Sequence, residues 1–387
     1  MILHELFTLE TLRVIWWLLL GVMLIAFALT DGFDMGVGAL LPFLGHDDAE
    51  RRVIINTVGP VWEGNQVWFI LGGGSIFAAW PLLYAVSFSG FYLAMFIILT
   101  ALIIRPVAFK YRSKRPGKLW RKGWDWALFY GGAVPAVMFG VAVGNIMLGV
   151  PFRLTPELLS IYDGNALQKL TGLLRPFALL AGVVSASMLV MHGSAWLILK
   201  TEDPIASRAR RTGTVAALIA GAGYALGGLW LAFGVEGFHF VTPPDPNGPS
   251  NPLLNEVAQG GSWLAAYAAR PWIVIAPVLG FLGIAMVLRA FRSGGDHSPL
   301  LWSKLAIFGM TASVGLTMFP IILPSNTDPR SSLTVWDASS SHLTLFVMLV
   351  ACAIFLPLIM LYTAWVYRVM WGKVTVKGVT DPENHAY

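Results

Sequence analysis

The chain has 387 residues, of which 56% are hydrophobic and only 12% charged, about half the usual share. So few polar side chains cannot coat a water-facing surface of this size, and the same composition excludes disorder. The 40 glycines follow no fixed period, which excludes a collagen-like chain, and the net charge of +5 sits in loops between apolar runs, where it signals membrane topology and not nucleic-acid binding.

Eight stretches are long and apolar enough to span a bilayer. In chain order they are Leu12 to about Leu41, Trp80 to Ile104, Trp126 to Val150, Leu173 to Leu199, Thr212 to Val235, Trp272 to Leu288, Leu305 to Leu323, and Leu343 to Val369. Lipid offers no partner for open backbone groups, so these are helices or barrel strands, and runs this long and uniform are helices. The expected fold is an all-α integral membrane protein of eight transmembrane helices in two four-helix bundles. Residues 1–150 form the first, 172–370 the second, and 371–387 a tail. The first run is too long for a secretory leader and lacks a cleavage site.

The loops alternate in charge. Lys110, Arg112, Lys114, Arg115, Lys118, Arg121 and Lys122 crowd one connection, and Lys200, Arg208, Arg210 and Arg211 another. Arg289, Arg292 and Lys304 mark a third, and Arg368, Lys373 and Lys377 the tail. By contrast, 234–263 has no Lys or Arg, and 325–342 has only Arg330. The positive-inside rule then places both termini in the cytoplasm. Residues 53–79 fit less well, because Arg51 and Arg52 precede an apolar run broken at Gly59-Pro60. As a ninth span this segment would move the N-terminus outside. The expectation is a re-entrant or interfacial segment, where irregular backbone packs on protein.

Charged groups at membrane depth are expensive and are candidates for function. Asp31 and Asp34, in Thr30-Asp31-Gly32-Phe33-Asp34-Met35-Gly36, are three apart and share a helix face, and Gly32 and Gly36 permit close helix approach. They are either a protein-lined carboxylate site or a solvated helix end. Glu63 lies in Trp62-Glu63-Gly64-Asn65-Gln66-Val67-Trp68, where apolar surroundings would favour proton exchange near neutrality. Its alternative is an interfacial turn with Trp anchors. Arg105 pairs with an intramembrane carboxylate or snorkels to a helix end. His192 is a lone histidine near a span end, more in keeping with a hydrogen-bonded neighbour than a heme ligand. Asp337, Ser340 and Ser341 compete to cap the last span. One cysteine, Cys352, excludes an intrachain disulfide and cysteine-based zinc or iron–sulfur sites. No P-loop or nucleophile triad is legible.

Thr30 to Leu44 (TDGFDMGVGALLPFL), Glu50 to Trp68 (ERRVIINTVGPVWEGNQVW), Phe77 to Ser113 and Leu333 to Leu345 resemble subunit II of cytochrome bd-type quinol oxidases, over nearly the whole chain. The cyanide-sensitive and cyanide-insensitive branches both stay open. The resemblance implies a terminal oxidase of the bacterial inner membrane that oxidises ubiquinol, reduces dioxygen to water, and builds proton-motive force without pumping. It implies a partner, subunit I, carrying two b-type hemes and heme d, and no heme or metal ligated by this chain. Whether a quinone or lipid also sits on this chain, and whether a small single-span subunit joins, stays open. Asp34 and Arg105, with Asp31 beside them, match positions that support the heme-bearing partner. Glu63 matches an acid, Asp in many relatives, on a proton route from the cytoplasm. Trp62 matches the neighbouring aromatic, and Asn65 and Gln66 are placed to hold relay waters. The reading from another class is a secondary transporter using Asp34, Glu63 and Arg105.

Overall fold

The computed structural model describes residues 7–381 and contains fourteen α-helices joined by short hairpins and turns. In order they are α1 Leu9–Leu44, α2 Asp48–Val58, α3 Trp62–Ala79, α4 Pro81–Gly90, α5 Tyr92–Tyr111, α6 Lys118–Leu148, α7 Ala166–Gly172, α8 Pro176–Lys200, α9 Ile205–Phe233, α10 Ala265–Ala269, α11 Ile275–Ser293, α12 Ser298–Met318, α13 His342–Val369 and α14 Val376–Thr380. Eight of them, α1, α5, α6, α8, α9, α11, α12 and α13, meet the length and apolarity needed to cross a bilayer. Of the expected tail, residues past Asp381 lie outside the described part.

Glycines set the spacing at the centre. A Cβ on Gly36 of α1 would stand 2.1 Å from the Leu189 carbonyl oxygen of α8, and one on Gly193 would stand 2.6 Å from the Gly36 backbone. Gly38 and Gly132 play the same part between α1 and α6. Such close backbone approach is how membrane helices gain packing where lipid supplies no hydrophobic drive. As a result α1 is flanked by α3, α6, α8, α12 and α13. Helices α8, α9, α11 and α12 pack on one another, whereas α13 leans on α1 and α3 and leaves most of its surface exposed.

The molecule has two polar ends. At one, Arg13 near the start of α1 is fully buried. It donates to the carbonyls of Pro246 (2.7 Å) and Gly248 (3.0 Å) and to Ser250 and Ser339 Oγ (3.0 and 2.7 Å). At the other, Arg208 donates to the Leu44 carbonyl and to both oxygens of Glu50. There too Arg51 and Arg112 share Asp125, and Arg210 and Lys373 share Asp296. The basic connections therefore gather where α1 ends, and the connections poor in basic residues gather where it begins.

Helix α3 holds most of the segment expected to be re-entrant or interfacial. It runs antiparallel to α1, pairing Asn65 with Asp34 and then Ser75 with Met23, and its last carbonyl, of Ala79, accepts from Ser340 at the opposite end. Its 18 residues span about 27 Å, and a bend of 118° joins it to α4, so the pair adds one broken candidate span to the eight. The start of α1 lies beside the start of α13, where His342 Nε2 bonds the Phe7 carbonyl (2.7 Å), while α13 ends beside Lys200. One expectation changes, at Asp337. Ser341 caps α13, accepting from Thr344 N, and Asp337 instead accepts from Thr334 N and Asn255 Nδ2, both at 2.8 Å.

Candidate functional site

The buried charges meet between α1, α3, α5 and α13. Asp31 and Asp34 share the face of α1 turned towards α5 and α3. Arg105 reaches Asp31 from α5, donating from Nη2 (2.5 Å) and Nη1 (3.1 Å) to its two oxygens. Both partners are essentially inaccessible. Room for the guanidinium stem comes from Gly131 of α6, where a Cβ would sit 3.0 Å from that of Arg105. Desolvating two ions costs several kcal/mol each, and only a two-pronged geometry of this kind offsets it.

Asp34 is held differently. Its Oδ2 accepts from Asn65 Nδ2 (2.8 Å), and Asn65 Oδ1 accepts from the Tyr367 hydroxyl (2.6 Å). The tyrosine donor fixes the amide, because Asn65 turned over would present its carbonyl to a carboxylate. Among the described residues, Asp34 Oδ1 and Arg105 Nε have no hydrogen-bond partner. An amide does not hand a proton on, so Asn65 orients Asp34 and leaves Oδ1 as the oxygen free to exchange one. Phe33 stacks on Trp196 (4.1 Å, 13°), and Tyr367 stands edge-on to both, which closes the cluster on the α8 side. In such dry surroundings each polar contact is stronger and each unpaired atom costlier than in water.

The expected residues thus divide. Asp31, Asp34, Arg105 and Asn65 come together. Trp62 is buried beside them but stacks on Phe109 (5.5 Å, 22°), and its Nε1 has no partner among the described residues. Gln66 is half-buried and takes no part. Glu63 faces away, where apolar surroundings were expected. It lies 66% exposed on the flank of this chain, 3.8 Å from Lys110. His192 is fully buried with both ring nitrogens engaged, Nδ1 with Ser303 Oγ (2.8 Å) and Nε2 with the Leu29 carbonyl (3.1 Å). It offers no nitrogen to a heme iron. Among the described residues no group of three or more His, Cys, Asp or Glu is arranged to hold a metal ion. Tyr367 was missed from the sequence, since one tyrosine in an apolar span carries no signal of what it faces.

The family model for cytochrome bd terminal oxidase subunit II matches residues 12–370. The chain belongs to that family. It is 45% identical over 379 residues to cytochrome bd-I ubiquinol oxidase subunit 2 of Escherichia coli K12, covering 98% of this chain and 99% of that one. It is 30% identical over 379 residues to cytochrome bd ubiquinol oxidase subunit 2 of Bacillus subtilis, with 95% and 98% covered. Its fold resembles a chain of the bd oxidase of Geobacillus thermodenitrificans, with a TM-score of 0.67 at 14% identity, over 93% of this chain and 98% of the other. It is therefore a subunit of a terminal quinol oxidase and a multi-pass inner-membrane protein.

Proposed function

We propose that this chain is the heme-free subunit of a complex that oxidises ubiquinol and reduces dioxygen to water. In this reading it supports a heme-bearing subunit I that carries b-type hemes and heme d, and gives protons from the cytoplasm a way in. The observation that carries the reading is the buried Arg105–Asp31 and Asp34–Asn65–Tyr367 arrangement at the centre of a chain that shares its family's full length. The face bearing Arg112, Arg121, Arg208, Arg210 and Lys373 is the cytoplasmic one, by its charge, and the start of α1 is outside. Glu63 then stands at the cytoplasmic end of α3, on a flank that subunit I covers. Its carboxyl takes up protons there and passes them along the interface, while Asp31 and Arg105 hold α1 and α5 rigid behind it. The two four-helix groups, about 1–150 and 172–370, belong to this proposal.

The transporter reading fits less well, because Asp31, Asp34 and Arg105 are shut away from any solute. The test is Glu63→Gln in the complex purified with its partner. At wild-type heme content, oxygen-reduction turnover should fall by about tenfold or more, in line with loss of a proton-transfer group. Unchanged turnover and proton uptake would remove Glu63 from the route and leave a purely supporting subunit.

A further inference from the structure

We propose that a recess at the basic face, between the end of α8, the α11–α12 turn and the segment after α13, binds the phosphate headgroup of an anionic membrane phospholipid. The recess is about 160 Å³, lined by Leu199, Lys200, Asp296, His297, Trp371 and Lys373. That is several times the ~30 Å³ share of one water molecule.

Lys200 carries the argument. It is only 7% exposed, yet among the described residues no carboxylate pairs with it. Its ammonium donates once, to the Met370 carbonyl (2.6 Å), and otherwise lies 5.6 Å from the Trp196 ring. A lysine has three N–H donors, so two are unspent. A buried cation without a counter-ion is costly, and an anion in the recess would supply one. The nearby carboxylates are committed elsewhere. Asp296 is divided between Arg210 (2.8 Å) and Lys373 (2.9 Å), and Asp203 accepts from the backbone and hydroxyl of Ser207. Lys373 supplies a second cation on the rim.

The position selects a lipid over a soluble phosphate. Helices α8 and α13 both end here, at headgroup depth. The Trp371 ring lies parallel to the His297 ring (5.8 Å between centroids, 4°) and is 66% exposed beside exposed Val369 and Met370, a surface suited to the glycerol and first acyl carbons. Basic pockets between membrane helices on the cytoplasmic side bind anionic headgroups for these reasons.

The proposal is tested on the complex purified with its partner, by native mass spectrometry of retained phospholipid. Wild type should keep phosphatidylglycerol-class lipid that Lys200→Met and Lys373→Gln each lose by about fivefold, the effect of one surface cation on anionic-lipid binding. Lys118→Gln, at the exposed start of α6, should keep it. Equal retention in all four proteins overturns the site. If Lys200→Met fails to assemble, Lys373→Gln decides alone. In a second arm, delipidated complex is heated with phosphatidylglycerol nanodiscs or with inorganic phosphate. Protection by the lipid alone supports the headgroup, and equal protection by phosphate overturns it in favour of a soluble anion.

Discussion

Arg105 has two carboxylates near it and bonds only one, and that choice sets what each aspartate can do. Asp31 has both oxygens taken by a fixed cation, so it is structural, whereas Asp34 keeps one oxygen open. Arg105→Met strips Asp31 of its counter-ion inside a dry cluster. Removing one member of a buried pair costs about 3–5 kcal/mol, so the variant should fail to accumulate as a heme-loaded complex, read by spectrum and yield after purification. Arg105→Lys keeps the charge without the two-pronged fit and should fall between. Outside the membrane spans, Glu50 is the telling group. The bond from Arg208 is the main cause that holds its carboxyl down to about 2, against an ordinary 4.5. A depressed carboxyl adds stability that is complete above 4.5 and is lost as the pH falls through 4.5 towards 2. Thermal unfolding of the complex between those pH values should show a decline that Glu50→Gln flattens. Wild type and variant declining in parallel would assign the acid sensitivity elsewhere.

At the scale of elements, α1 is the axis, and its glycine face decides how near α8 and α6 can come. A methyl on Gly36 would collide with the Leu189 carbonyl, which is backbone and cannot swing aside. Gly36→Ala should therefore lower stability by about 1–3 kcal/mol, the usual cost of overpacking, and shift α1 enough to loosen the Asp34–Asn65 bond. The expected result is a lower unfolding temperature for the complex. Gly21→Ala, with open space around its Cβ, should leave that temperature unchanged. The small-xxx-small spacing of Gly32 and Gly36 was legible in the sequence because it is periodic. The partner, Gly193 on α8, was not, since nothing local says which helix a glycine will meet.

For the whole molecule, orientation follows from the path of α3, and the proposed sidedness, with α3 crossing, puts Thr8 and Lys373 on opposite faces. In a Cys352→Ser background, cysteine placed at Thr8 should react with a membrane-impermeant thiol reagent on intact spheroplasts, and cysteine placed at Lys373 only after permeabilisation. The reverse pattern, or labelling of both from one side, would return α3 to the face it entered. The same orientation gathers the basic connections, Arg51 and Arg52 included, on one face.

The sequence by itself determined that this is a membrane protein, where eight of its helices lie, which few charged residues are of interest, and which family it resembles. Each of these follows from composition, local periodicity or contiguous motifs, which survive without knowledge of neighbours. Only the tertiary structure decided that Arg105 bonds Asp31 and not Asp34, that Tyr367 sets the Asn65 amide, that Glu63 faces outward, and that α3 runs antiparallel along α1. Those outcomes depend on which helices touch and at what rotation. In a bilayer these are chosen by backbone-to-backbone fit at glycines and by a handful of buried polar bonds between residues as much as 329 positions apart.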